Sequence, residues 1–291
     1  MTKHQAGCYV PVSTAVAPLS YRLRNLYTAT VTLCALSAPM AFAEEMQLEA
    51  VNIDAKAQSL EAEELERSRT SYQARRATVA TRTDERLVEV PQSVNVVTNR
   101  VIEDRQPASL DEAINAVSGV KQGNTLGGTQ DAIQKRGFGT NRDNSIMRDG
   151  MQSVQARNFT PTAERIEVLK GPASMLYGVQ DPGGIINVVT KKPQLEAAHS
   201  ISAFGSSFGG GGEQIDLTGP LGDSGLAYRL IADKQNVDYW RNFGSIDQTV
   251  IAPSLAWYGE DTKVSIAYEH MEYSVPFDRG TQINPKTGKV L

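Results

Sequence analysis

The 291-residue chain offers little that could carry out covalent chemistry. Past the first 43 residues its only histidines are His199 and His270, and it has no His-Glu-x-x-His, no Gly-x-Ser-x-Gly and no Gly-rich phosphate loop with its lysine. The side chains left to consider suit binding. Arg136 stands in R-G-F-G, where glycines on both sides of Phe138 favour a tight exposed turn. Its guanidinium is a permanently charged fork that fits an oxygen-rich, anionic partner, although a single arginine in such a loop is more often a solvated one. Tyr177, in M-L-Y-G, adds a ring face and a hydroxyl. Tyr239, Trp240, Tyr273 and Phe277 are spread over two later segments; they suit either ligand contact or an aromatic girdle at a membrane interface.

Arg165–Pro193, RIEVLKGPASMLYGVQDPGGIINVVTKKP, places Tyr177. Ile166, Val168 and Leu169 form a strand, Gly171-Pro172 breaks it, and Ala173 to Tyr177 accommodate about one helical turn. Gly183-Gly184 allow a tight turn or close chain approach before the β-rich run Ile185–Val189, which Lys191-Lys192-Pro193 ends. Upstream, Val94, Val96 and Val97 predict a strand. Ser109 and Glu112 form a capping box ahead of a helix with Leu110, Ala113, Ile114 and Val117 on its apolar face, and Gly119 is its stop. Ile146-Met147 followed by Asp149-Gly150 reads as a strand entering a turn.

These motifs, P-Q-S-V, L-D-E-A-I, R-G-F, E-R-I-E-V-L-K-G-P, L-Y-G, P-G-G-x-I-N and T-K-K-P, closely resemble the plug domain of TonB-dependent outer-membrane ferric-siderophore receptors, of the ferrichrome or hydroxamate type. The resemblance implies an α+β plug domain over 84–193, with Arg136 and Tyr177 at apices that contact the ferric siderophore. The loop from Met151 to Phe159 is the third apex in that family, but Q-S-V-Q-A-R-N-F shows no diagnostic pattern and no residue is carried over from it. Arg148 is a departure, since the family more often has an apolar or small residue before D-G.

The N-terminus fits export. Lys3, Arg22 and Arg24 precede an apolar run from Leu26 to Leu36, and Ala41-Phe42-Ala43 predicts signal cleavage after residue 43. Removing 1–43 takes away Cys8 and Cys34, leaving no thiol for a disulfide or metal site. It also changes the charge from -4 to -7, with 26 basic and 33 acidic residues remaining. That balance argues against nucleic-acid binding. Residues 44–83 are expected to be a flexible, charged tether. By the resemblance it begins with a TonB box, Leu48, Glu49, Ala50, Val51, Asn52 and Ile53, an extended segment suited to adding a strand to a partner's sheet. No room remains for an extra signalling domain.

From His199 onward apolar and polar residues alternate, as Ile215 and Leu217 do with Asp216 and Thr218, and Val264 and Ile266 with Ser265. Alternation alone favours a soluble sandwich. Tight connections at 220–225 and 259–261 against a longer aromatic one at 236–246 favour instead the first five antiparallel strands of a transmembrane β-barrel, ~22-stranded in the resembled family. Five strands cannot close, so an N-terminal portion of a receptor is expected, whether from a truncated gene or a partial sequence. The function implied is energy-coupled uptake of a ferric siderophore across the cell outer membrane. TonB and outer-membrane lipid are the partners, with no cofactor, no metal site and no enzymatic step. The alternatives are a non-functional fragment or a soluble plug that binds TonB, and less readily a haem or cobalamin receptor.

Overall fold

The computed structural model describes residues 63–64, 66–67, 69–139, 144–222, 224–241, 244–260, 262–280, 283 and 286–289. The predicted leader 1–43 and the segment 48–53 lie outside them. In chain order the first half forms β1 (Arg76–Ala77), β2 (Glu85–Arg86), β3 (Ser93–Val97), α1 (Asn99–Arg105), α2 (Leu110–Ile114), β4 (Val120–Gln122), β5 (Ile133–Lys135), β6 (Ile146–Arg148), β7 (Met151–Gln152), β8 (Ala163–Lys170), α3 (Ser174–Tyr177) and β9 (Gly184–Thr190).

Five of these strands make a central sheet in the order β3-β8-β9-β6-β7, parallel only between β6 and β9. The run A-E-R-I-E-V-L-K of β8 is buried on both faces, as a strand in the middle of a domain must be. On one face Ile166, Val168, Ile186 and Val188 pack with Leu110, Ala113 and Ile114 of α2. On the other, Leu169 and Ile185 pack with Val79, Ala80, Met147 and Ala173. The glycine pair ahead of β9 is required by close approach: a Cβ on Gly184 would stand 1.9 Å from the Leu169 carbonyl oxygen, and one on Gly183 would stand 2.3 Å from that of Lys135.

Three sequence expectations change. The capping box is half formed: Ser109 makes no side-chain cap, whereas the Glu112 carboxylate accepts the Ala108 N–H at 2.7 Å, one residue earlier than expected. Helix α1 has no counterpart in the sequence reading, because its core contacts, Val101 and Ile102, are adjacent residues and make no helical stripe. Thirdly, the second half of the expected tether is not loose. Ala77, Val79 and Ala80 are buried, β1 and β2 pair as a small hairpin, and Arg76 Nε donates to Asp84 at 2.6 Å. The charged composition of 56–83 hid this, since Val79 brings its backbone, as well as its side chain, into the core.

The second half forms β10 (Ala198–Gly205), β11 (Gly210–Pro220), β12 (Leu226–Asp238), β13 (Ser245–Tyr258), β14 (Lys263–Ala267) and β15 (His270–Ser274). They make one antiparallel sheet in the order β10-β11-β12-β13, with β14 and β15 both on β13. The last of the five expected strands is thus two, β14 and β15, parted at Tyr268-Glu269 opposite Pro253. Pro253 accepts the Tyr268 N–H at 3.0 Å but has no N–H to return, so the ladder breaks there.

Which face of this sheet is covered decides between sandwich and barrel wall. Ile215, Leu230, Ile251, Leu255, Trp257, Val264 and Ile266 are exposed, while Asp216, Thr218, Arg229, Asp233 and Gln248 on the opposite face are buried. A soluble sandwich would bury the apolar set. Here the polar face is turned to the rest of the protein: Lys191 pairs with Asp216 at 3.0 Å, Arg229 donates to Asp216 and to the Lys192 carbonyl, and the Tyr258 hydroxyl donates to the Pro193 carbonyl. This is the apolar-out, polar-in pattern of a membrane barrel, and the sheet is not closed.

Candidate functional site

The end of the central sheet where β8 stops and β9 starts carries the first group of candidate residues. It lies opposite the end from which 191–194 pass to the outer sheet. Lys135 and Phe138 exchange backbone hydrogen bonds of 2.7 and 2.9 Å, closing the R-G-F turn. Arg136 at its tip is exposed in a left-handed conformation (φ 52) that leaves its N–H to donate to the Gly119 carbonyl at 2.7 Å. Its guanidinium reaches Gly171, where an added Cβ would be 3.6 Å from Nη1. Beside it the Lys170 ammonium donates to Ser118 Oγ at 3.0 Å. Partial burial and the neighbouring Arg136 charge hold that ammonium below the usual lysine range.

Tyr177, expected to offer a ligand both a hydroxyl and a ring face, has the hydroxyl engaged and a ring face covered. The hydroxyl donates to the Val79 carbonyl at 3.0 Å, and Arg82 lies over the ring at 5.2 Å while donating to the Leu176 carbonyl. Burial pushes the phenol above its ordinary range. The physical reason is the ordering of 76–84, which brings Val79 and Arg82 against α3. Tyr177→Phe is expected to leave the Val79 carbonyl unpaired and to lower stability by about 1–2 kcal/mol, read by urea denaturation. A stability equal to that of the parent would show that this hydrogen bond contributes nothing net.

Below Val79, the fully buried Glu167 holds the same segment. Its Oε2 accepts from Thr78 N, Thr78 Oγ1 and Val79 N at 3.1, 3.0 and 2.9 Å, and its Oε1 accepts from Arg165 Nε at 2.9 Å.

The remaining candidates gather elsewhere, around the 275–280 segment. Phe277 sits against Gly127, where a Cβ would be 3.0 Å from its ring. Tyr273 lies under Arg157, whose guanidinium is 4.9 Å from the ring centroid and donates to the Gly128 carbonyl at 3.2 Å. Asp278 accepts from the Tyr239 hydroxyl and pairs with Arg241, each at 3.0 Å. Trp240, more than half exposed, is tilted against Tyr239 and lies under Arg241. Hydrogen bonds from Gly280 N–H and Tyr239, with Arg241 nearby, hold the Asp278 carboxyl below its ordinary range. The six candidates therefore fall into two groups: Arg136 and Tyr177 at one end of the central sheet, and Tyr239, Trp240, Tyr273 and Phe277, of which Tyr273 stands in β15 and the others on the two segments joined by Asp278. No sequence signal marks Arg157, which stands in an unpatterned loop and meets Tyr273 about 116 residues away.

The unusual Arg148 also has a partner. Its Nη2 donates to Glu269, at the break opposite Pro253, and to Thr162, while Thr162 Oγ1 donates to the same carboxylate at 2.9 Å. This network ties the central sheet to the outer one. Arg148→Ala is expected to cost roughly 2–3 kcal/mol, with strong non-additivity against Glu269→Gln in a double-mutant cycle. Additive effects would show that the pair does not couple the sheets.

Residues 86–185, which contain the buried five-stranded sheet up to the start of β9, match the family model for the TonB-dependent receptor plug domain. The chain carries the plug of a TonB-dependent receptor. It is 35% identical over 251 residues to the metal-pseudopaline receptor CntO of Pseudomonas aeruginosa, covering 84% of this chain and 35% of that protein. It is 32% identical to the ferrioxamine receptor of Yersinia enterocolitica, covering 66% of this chain and 28% of the relative. Among solved structures, the ferric-catecholate import receptor Fiu of E. coli K12 superposes with a TM-score of 0.57 at 28% identity, covering 64% of this chain and 28% of Fiu. The FpvAI–pyocin S2 complex matches in fold, with a TM-score of 0.64 at 23% identity over 69% of this chain and 27% of that one. The chain spans roughly a third of the length of these curated relatives. The family is one of receptors and transporters, not enzymes. In this light the central sheet is the plug and β10–β15 are barrel-wall strands.

Proposed function

We propose that the receptor to which this plug belongs takes up ferric siderophores across the outer membrane, driven by TonB. The observation that carries the reading is the plug seated on the polar face of strands whose apolar face is bare, which is the arrangement a lipid-embedded, plugged barrel requires. The Arg136 and Tyr177 end is the ligand side, facing outward, and 191–194 cross to the barrel at the periplasmic side. On that assignment the loops bearing Trp240 and Phe277 are extracellular and form the vestibule wall. The segment Leu48, Glu49, Ala50, Val51, Asn52 and Ile53 is the TonB-binding box, and the predicted leader directs export. Relatives named for ferrioxamine, ferrichrome, pyoverdine and metal-pseudopaline support a metal–siderophore chelate as cargo. No resident cofactor enters the scheme. The test is uptake of radiolabelled ferric siderophores in an iron-starved host that lacks its own receptors and carries the intact gene. Uptake that disappears on deleting TonB is expected; uptake unchanged by that deletion, or none for any iron chelate, would overturn the proposal.

A further inference from the structure

The plug is fastened to the wall strands at three heights, and what this implies for the route of the cargo rests on the transport reading just given. The lowest tie is at Tyr258, whose hydroxyl donates to the Pro193 carbonyl at 2.5 Å. Beside it Asp216 holds Lys191 at 3.0 Å and Arg229 Nε at 2.8 Å, and Thr218 Oγ1 accepts the Gln194 N–H at 2.9 Å. The middle tie is Glu269, which with Tyr268 falls outside the ladder between β14 and β15. Its carboxylate accepts from Arg148, from Thr162 at 2.9 Å and from Thr160 at 3.3 Å. The uppermost is Tyr273, opposite Gln248 of β13 and under the Arg157 guanidinium, and Phe277 against Gly127 continues it.

These ties meet β13 at Tyr258, Pro253 and Gln248, every fifth residue, so they recur about every 17 Å and span roughly 34 Å of strand. A strand tilted by about 40° crosses roughly 26 Å of membrane over that length, the full height of an apolar band. A pull on the N-terminal segment loads Arg69 on Glu164, Ser71 on Thr98 and Val79 on Glu167 one after another. The wall ties lie in parallel across one interface and must break together.

We propose that this seam stays closed through uptake, so that the central sheet remains on β11–β15 and the chelate passes round another side of the plug. Arg148 and Glu269 are its latch, positioning residues that touch no cargo. The break in the ladder opposite Pro253 serves the latch by freeing Glu269 to meet the plug. Arg148 departs from the usual plug pattern, so the latch is this receptor's own device.

The test uses the intact gene in an outer-membrane host that lacks its own siderophore receptors. With TonB deleted, Arg148→Ala and Glu269→Ala receptors are expected to admit vancomycin, lowering its inhibitory concentration about fourfold, because each leaves a charge unpaired in the seam. The reversed pair, Arg148→Glu with Glu269→Arg, should restore exclusion, which a merely damaged fold would not. Arg148→Cys with Glu269→Cys, bridged by a reducible bismaleimide, should also exclude vancomycin. With TonB present, uptake is followed with whichever of radiolabelled ferrioxamine B, ferrichrome and ferric pyoverdine the parent imports. The bridged receptor should import it within about twofold of the unbridged rate, since an interface that does not move loses nothing to a cross-link. A fall of about tenfold on bridging, reversed by reduction, would overturn the closed seam. So would exclusion of vancomycin by both alanine variants at the parent's level of inserted receptor. Failure of the parent to import any of the three chelates would count against the transport reading instead, and the vancomycin measurement then decides the latch by itself.

Discussion

Replacing Glu167 by alanine is expected to free residues 76–84 from the plug and to lower its stability by roughly 3–5 kcal/mol, the range seen when one partner of a buried ionic network is removed. The carboxylate is completely buried, and one oxygen accepts from two backbone N–H groups and a hydroxyl, so its loss strands three donors and the Arg165 guanidinium at once. Glu167→Gln should be milder, because an amide oxygen can still face Thr78 and Val79 while its NH2 group meets Arg165 unfavourably. Amide hydrogen exchange is the direct measurement: Thr78 and Val79 should lose protection in Glu167→Ala while Ile185 to Val188 keep theirs. Unchanged protection at 78–79 would show that apolar packing of Val79 alone holds the segment. The effect should reach further, because Val79 also receives the Tyr177 hydroxyl and Arg82 covers its ring. A segment just downstream of the expected TonB box is thus bonded to the turn that carries a candidate ligand residue.

Gly184→Ala should be comparably damaging for a different reason. The position has φ +129 and its missing Cβ would lie 1.9 Å from a backbone oxygen of the adjacent strand, so neither conformation nor space admits a side chain. Left-handed strain and forced separation of β8 from β9 together predict about 3–5 kcal/mol. That is enough to unfold a marginal domain, read as loss of the cooperative urea transition. Gly137→Ala, also at positive φ but with nothing within 4 Å of the added carbon, should cost only about 1 kcal/mol. If the two variants proved equally stable, steric approach at β9 would not be what the glycine serves.

The sequence by itself determined the strands and turns whose residues answer to local rules. The β-rich runs that became β8 and β9, the single helical turn before Tyr177, the glycines at 183–184 and the alternation after His199 all follow from side-chain period and backbone freedom, and they were legible because each signal is complete within about ten residues. The motifs also sufficed to reach the family. Tertiary structure decided what depended on a partner far along the chain. Alternation says that a sheet has two unlike faces, but only the plug lying on the polar face shows that the apolar one is left bare. The charged composition of 56–83 describes a tether, and only the buried Glu167, about 88 residues away, reveals that its end is pinned. Arg148 looked like an anomaly until Glu269 came to meet it, and Tyr177 offered a free hydroxyl until Val79 took it. Side-chain period is a property of neighbours, whereas charge pairing and hydrogen-bond satisfaction are properties of the folded volume, where residues about a hundred positions apart share one oxygen.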